Sequence, residues 1–383
     1  MSKRAETNLD EPTRRRLVAL TGKEPVSWQR VERGYSPAER WRLGFSDGST
    51  AFAKLANSPA TAHWLRAERA VYTQVGGPFM PAFLGFDDHA ERPLLLLEDL
   101  SAAYWPPPWR QGDLERLLEA LRAMAKTAVP SGVLPELERD RGRFAGWLNV
   151  ERDPAPFLAL GLCSVGWLQA ALPSLLVAQD LAWLGGSELV HGDLRSDNLC
   201  FHADRVVLVD WNAARRGNHS FDLAALAPSC RLEGGPLPER LVPGEGALAA
   251  LQSGYFAAHA GLRPIVDAPR VRHIQLRQLR IALPWAARVL GLPAPDLAWP
   301  ERARARLDAA LEEGELDEGR WFEAVEEVVG DAHLASADER VPAGAPADAA
   351  LLRAADELVL DASGDLGRRR ALLVIGAASA WAL

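Results

Sequence analysis

The chain has 383 residues, 48 % of them hydrophobic and 25 % charged, with a net charge of −8 at neutral pH. That length can bury a large core and carry two lobes with accessory segments, while the acidity excludes a general nucleic-acid binder, which needs a basic footprint against phosphates. No apolar run reaches membrane-spanning length, residues 2–7 lack the apolar stretch of a signal peptide, and Cys163, Cys200 and Cys230 are odd in number without C-x-x-C spacing, so a cytoplasmic, reducing setting is expected.

The charge is uneven. Residues 301–383 carry a net −9 and the rest of the chain +1, so the excess belongs to a C-terminal extension. Lysine is scarce, only Lys3, Lys23, Lys54 and Lys126, and a lysine in mid-strand therefore needs a reason.

In chain order, residues 1–25 read as a lead-in whose helix closes at Gly22. Val26 to Arg33, Arg40 to Phe45 and Thr50 to Leu55 alternate as three antiparallel strands, the last two joined by the tight turn Ser46-Asp47-Gly48-Ser49. A helix over Ala60 to Val75 follows, then strands at Phe83 to Phe86 and Leu94 to Leu97. Pro106-Pro107-Pro108 marks a boundary. Beyond it the period is helical: Leu114, Leu117, Leu118, Leu121 and Met124 share one face, and further helices are expected over 167–184, 221–227, 247–260, 271–290, 302–311, 319–329 and 349–360. The fold class expected is α+β, two lobes, with a small antiparallel sheet in the N-lobe (26–100), a mainly helical C-lobe (101–300) and an acidic helical extension (301–383).

The most specific pattern is His191-Gly192-Asp193 through Asn198, followed by Val206-Val207-Leu208-Val209 ending at Asp210. It sets two carboxylates and an amide at the spacing of a phosphoryl-transfer loop. Asp193 would accept a substrate hydroxyl proton, while Asn198 and Asp210, joined by the turn between two short strands, would give oxygens to a nucleotide-bound Mg²⁺. Lys54, in Phe52-Ala53-Lys54-Leu55, would place a fixed positive charge on the nucleotide phosphates, and Glu68 on the next helix would hold it. Backbone N–H groups around Gly34, with the Ser36 hydroxyl, would lie over the phosphates. Glu98 and Leu100 fall where the lobes would meet, placed for their backbone to read an adenine edge. Asp222 opens a helix and would either cap it or brace the catalytic loop. Only eleven residues lie between Asp210 and Asp222, too few for the activation segment on which a protein kinase docks a peptide.

With these residues the chain resembles the aminoglycoside phosphotransferase family of small-molecule kinases over residues 26–295. The resemblance rests first on His191-Gly192-Asp193 through Asn198 and Val209-Asp210-Trp211, then on Phe52-Ala53-Lys54, Leu96 to Leu100 and Phe221 to Ala224. It implies a protein-kinase-like fold, Asp193 as catalytic base, Asn198 and Asp210 as metal ligands, Lys54 with Glu68 as the phosphate-positioning pair, and His191 and Asp222 in support. Many relatives carry an acid where this chain has Asn212. The implied reaction is ATP- and Mg²⁺-dependent phosphorylation of a small-molecule hydroxyl, with GTP an alternative donor and the acceptor and oligomeric state left open. The competing expectation is a catalytically silent nucleotide-binding module acting through a protein partner.

Overall fold

The computed structural model describes residues 9–31, 38–89, 91–265 and 271–296. The helices expected at 302–311, 319–329 and 349–360, and the residues Gly34 and Ser36, lie outside them. The described residues fall into two compact units, one within 1–139 and 184–226, the other within 140–183 and from 227 onward.

The first unit starts with α1 (Glu11–Thr21), β1 (Pro25–Arg30), β2 (Glu39–Phe45), β3 (Thr50–Leu55), α2 (Pro59–Gln74), β4 (Phe83–Asp87), β5 (Leu94–Leu97) and α3 (Asp113–Ala125). The second unit inserts α4 (Arg141–Phe144), α5 (Gly146–Arg152), α6 (Ala155–Ala159) and α7 (Val165–Ala178). The chain then returns through β6 (Glu188–Val190), β7 (Leu199–His202), β8 (Arg205–Leu208) and β9 (Arg215–Gly217). It leaves along α8 (Ser220–Leu232) to α9 (Pro238–Leu241), α10 (Gly246–Ala260) and α11 (Val271–Val289).

Local chemistry sets the elements of the first unit. Asp10 caps α1 by accepting the Thr13 N–H at 2.8 Å, and Gly22, at φ 69°, ends it with its N–H on the Val18 carbonyl. Only glycine enters that left-handed region without strain. Ser58 and Thr61 cap α2 reciprocally. The five strands form one antiparallel sheet in the order β1-β2-β3-β5-β4. Alternation sorts its faces: Trp41, Leu43 and Phe45 of β2 and Ala51, Ala53 and Leu55 of β3 are buried with Leu17 of α1, Leu94 and Leu96. The even-numbered residues Arg40, Arg42, Phe52 and Lys54 leave by the opposite face. All four leucines of β5 are buried, as a strand covered on both faces requires.

In the second unit, Trp147 is fully buried, its indole N–H on the Ala250 carbonyl at 3.0 Å and its backbone N–H on Gln179 Oε1 at 2.7 Å. α5 and α10 touch at Gly146 and Gly254, where a Cβ on Gly146 would stand 1.9 Å from the Gly254 carbonyl oxygen.

The helix expected over 167–184 is two pieces. α7 stops at Ala178 because the Gln179 side chain turns to Trp147 and the Asp180 carboxylate accepts the Ala182 N–H at 2.9 Å, starting a separate turn over Leu181–Leu184. The short helices α4, α5, α6 and α9 and the pairing of β6 with β9 carry too few residues to show a period. All three cysteines are buried, and burial pushes each thiol up to about 12, which keeps them protonated and inert.

Candidate active site

Asp193, Asn198, Asp210, Lys54 and Glu68 all belong to the first unit. β6 delivers the chain into His191, and Gly192 then turns at φ 81° with no room for a side chain, since a Cβ there would lie 2.3 Å from the Ala213 carbonyl oxygen. The buried His191 ring bonds through Nε2 to the Val209 carbonyl at 2.8 Å and through Nδ1 to the Asp193 N–H at 3.3 Å. That pair of partners sets a neutral tautomer with the proton on Nε2. Burial lowers the His191 pKa despite the nearby Asp222, consistent with the neutral ring.

Two contacts set the reactive groups. The β7–β8 hairpin pairs Leu199 with Leu208, and the Val209 N–H donates to the Asn198 carbonyl at 2.9 Å, so Asn198 and Asp210 come together at its open end. The Asn198 side-chain amide donates to the Asp193 carbonyl at 2.8 Å and to its carboxylate at 3.2 Å. Asp193 remains 46 % exposed, with Arg195 at 3.5 Å. Its pKa is raised, because burial against the surrounding protein outweighs Arg195. A carboxylate so placed, open to solvent and steadied by Asn198, has the geometry of a proton acceptor.

Lys54 is 5 % exposed. Its ammonium donates to both oxygens of Glu68, at 2.8 and 2.9 Å, and pairs with Asp210. Burial alone would lower its pKa, but the charges of Asp210 and Glu68 raise it instead. Glu68 moves up, since burial exceeds the pull of Lys54. Asp210 moves down: burial alone would raise it, but the charge and hydrogen bond of Lys54, with His191 and Arg40, together outweigh that. Asp210 adopts φ 63°, a conformation that costs a non-glycine residue and is found where a site dictates direction. A cavity of about 780 Å³ bounded by Thr13, Trp41, Asn57 and Arg92 contains none of these groups.

The model of the phosphotransferase enzyme family, APH, matches residues 27–265. The chain belongs to this family. Among solved structures, the spectinomycin phosphotransferase APH(9)-Ia, in complex with ADP and spectinomycin, is 12 % identical with a TM-score of 0.50, covering 75 % of this chain and 100 % of its own. A choline/ethanolamine kinase family protein from Mesorhizobium loti is 16 % identical with a TM-score of 0.51, covering 73 % and 97 %. No curated protein sequence matches. The likeness to these structures shows the fold, that of protein-kinase-like phosphotransferases, with a small antiparallel sheet followed by a mostly helical remainder.

Within this phosphotransferase the two readings of Asp222 separate. Asn218 does the capping, its side chain accepting the Ser220 N–H at 3.0 Å. The fully buried Asp222 carboxylate instead accepts the backbone N–H groups of His191 at 2.7 Å and Gly192 at 2.9 Å. Asp222→Ala leaves two buried donors without an acceptor, and urea unfolding should show a loss of about 2–5 kcal/mol. Asp222→Asn, keeping one acceptor oxygen, should lose less; equal stability of all three proteins would remove the brace.

At the expected adenine edge, one donor is already committed. The Glu98 N–H donates to the Ala82 carbonyl at 2.9 Å, and its carboxylate holds Arg205 at 2.5 Å and the Ala82 N–H at 2.9 Å. The Leu100 carbonyl is taken as well, by the Ala103 N–H at 3.0 Å and the Trp105 indole N–H at 3.4 Å, which leaves the Glu98 carbonyl and the Leu100 N–H as what this segment offers a base. Tyr72 was not visible as part of the site. Its buried hydroxyl donates to Glu68 at 3.1 Å, and the signal was its place one turn after Glu68 on α2.

Proposed function

We propose that this phosphotransferase moves the γ-phosphate of ATP, with Mg²⁺, to a hydroxyl of a small molecule such as an aminoglycoside-like antibiotic, an amino alcohol or a sugar metabolite, with GTP as the alternative donor. The observation that carries the reading is the pairing of Lys54 with both Glu68 and Asp210 beside an Asp193 held by Asn198.

Asn198 and Asp210 offer hard oxygen donors, and among the described residues no group of three or more His, Cys, Asp or Glu could hold a metal by itself. That fits Mg²⁺, which takes one or two protein ligands and completes its shell with water and nucleotide phosphates. When bound, Mg²⁺ offsets phosphate charge. Asp193 orients the acceptor hydroxyl and takes its proton as the acceptor oxygen bonds to the γ-phosphorus and the bond to ADP breaks. Lys54, steadied by Glu68, holds the phosphates.

A small acceptor is favoured over a peptide because the residues after Asp210 are committed. Trp211 packs on His191 with ring centroids 4.6 Å apart, and Arg215–Gly217 pairs with β6. The spectinomycin phosphotransferase and the choline/ethanolamine kinase family protein share this fold, which agrees with such an acceptor. No described helix is long and apolar enough to cross a membrane, and the inert thiols suit a reducing cytoplasm in which ATP is available.

Acceptor-dependent release of ADP, assayed with and without Mg²⁺ across aminoglycosides, amino alcohols and sugars, tests the proposal. At least one acceptor should support Mg²⁺-dependent turnover. Nucleotide binding with no turnover across such a set would favour the silent module, and failure to bind nucleotide would remove the reading altogether.

A further inference from the structure

We infer that Arg40 is a second phosphate-binding cation of the nucleotide site, working beside Lys54; this deepens the ATP reading above and rests on it. β2 and β3 pair antiparallel with Arg40 directly opposite Lys54, so their side chains leave the same face of the sheet with Cβ atoms about 5 Å apart. The other face is filled by Trp41, Leu43, Ala53 and Leu55, which fixes the direction of both basic residues.

Two like charges directly across a strand pair repel, and such a pair persists where negative charge answers it. Lys54 already faces two carboxylates, Glu68 and Asp210, so those three groups alone carry a net charge of −1 that would oppose a polyphosphate. Arg40, half-buried, brings the set to neutrality. Its guanidinium also lies within electrostatic reach of Asp210, which Lys54, its neighbour across the strand pair, holds directly. A guanidinium presents a fork of donors suited to phosphate oxygens, which one ammonium cannot match.

Arg42, the next residue on this face, points to a different carboxylate. It is held by the Asp99 carboxylate at 2.9 Å, and Asp99 is buried with the Ser101 N–H also on it.

The test is calorimetric binding of MgATP, MgADP, AMP and adenosine to the full chain and to Arg40→Gln and Arg40→Lys. Arg40→Gln should weaken MgATP by about 10–100-fold, the span of one charge-assisted contact, and change adenosine by less than about twofold, with Arg40→Lys in between for MgATP. A uniform loss across all four ligands would assign Arg40 to the sheet's structure and overturn the inference, as would unchanged MgATP affinity in Arg40→Gln. If Arg40→Gln fails to fold, Arg40→Lys decides by the same contrast between MgATP and adenosine. Wild-type protein that binds none of the four overturns the nucleotide reading and this assignment with it.

Discussion

Asp193→Asn is expected to cut acceptor-dependent turnover by about 10²–10⁴-fold, the contribution of a positioned proton acceptor, while MgATP affinity stays close to wild type. The substitution keeps shape and an acceptor oxygen for the Asn198 amide, which bonds this side chain at 3.2 Å, and removes basicity alone. The stability of the variant carries a sign of its own. The folded pKa of Asp193 is raised above 3.8 by burial, so its ionised form is less favourable in the folded protein than in the unfolded chain. The stability that protonated Asp193 contributes is present below pH 3.8 and is lost as pH rises through the folded value. At pH 7 to 8 the asparagine variant should therefore melt no lower than wild type, and any gain should shrink toward pH 4. Full turnover in Asp193→Asn would remove Asp193 as the base, and a variant that melts well below wild type at neutral pH would make this carboxylate a structural pin of the turn.

Much of this candidate site is legible in the sequence because its parts are local. His191 through Asn198 and the strand ending at Asp210 form one hairpin, and the first three sheet strands show themselves by alternation and by the turn at Gly48, while β5 shows as an unbroken run of four leucines. Lys54 could be singled out because lysine is nearly absent from the chain. What the sequence did not show depends on contacts over longer separations. Asp222 meets the His191 and Gly192 amides 31 and 30 residues away, and from the sequence it could equally have been a helix cap. The Glu98 side chain reaches Arg205 across 107 positions, which no local pattern encodes. Nothing local marks Arg40, whose place opposite Lys54 comes from the register of β2 on β3. Helix ends are less legible than helix positions: the period expected over 167–184 runs past the point where a side chain, here Gln179, ends the helix at Ala178, and the one expected over 221–227 extends to Leu232.

Lys54→Met should destabilise the protein as well as weaken the nucleotide. A lysine that merely touched phosphates would be expendable to the fold, yet this one is 5 % exposed between Glu68 and Asp210. Breaking a buried ion pair by deleting one partner costs about 3–5 kcal/mol. Asp210 is 35 % exposed and can turn its charge toward water, so the penalty falls mainly on Glu68, which is 2 % exposed, and the lower end of the range is expected. The pH dependence follows from Glu68. Its folded pKa is already raised, with Lys54 the main charge holding it down; without Lys54 it rises further, and a proton on Glu68 removes the uncompensated charge. The destabilisation should therefore be largest near pH 8 and smaller near pH 5. Lys54→Met combined with Glu68→Gln should recover much of the stability while MgATP affinity stays reduced, by about 1.5–3 kcal/mol for the lost charged contact. Denaturant unfolding at both pH values and calorimetry with MgATP measure the two effects separately. A Lys54→Met protein as stable as wild type at pH 8 would show that Glu68 does not need this ammonium, and the charged cluster would no longer be the framework of the phosphate site.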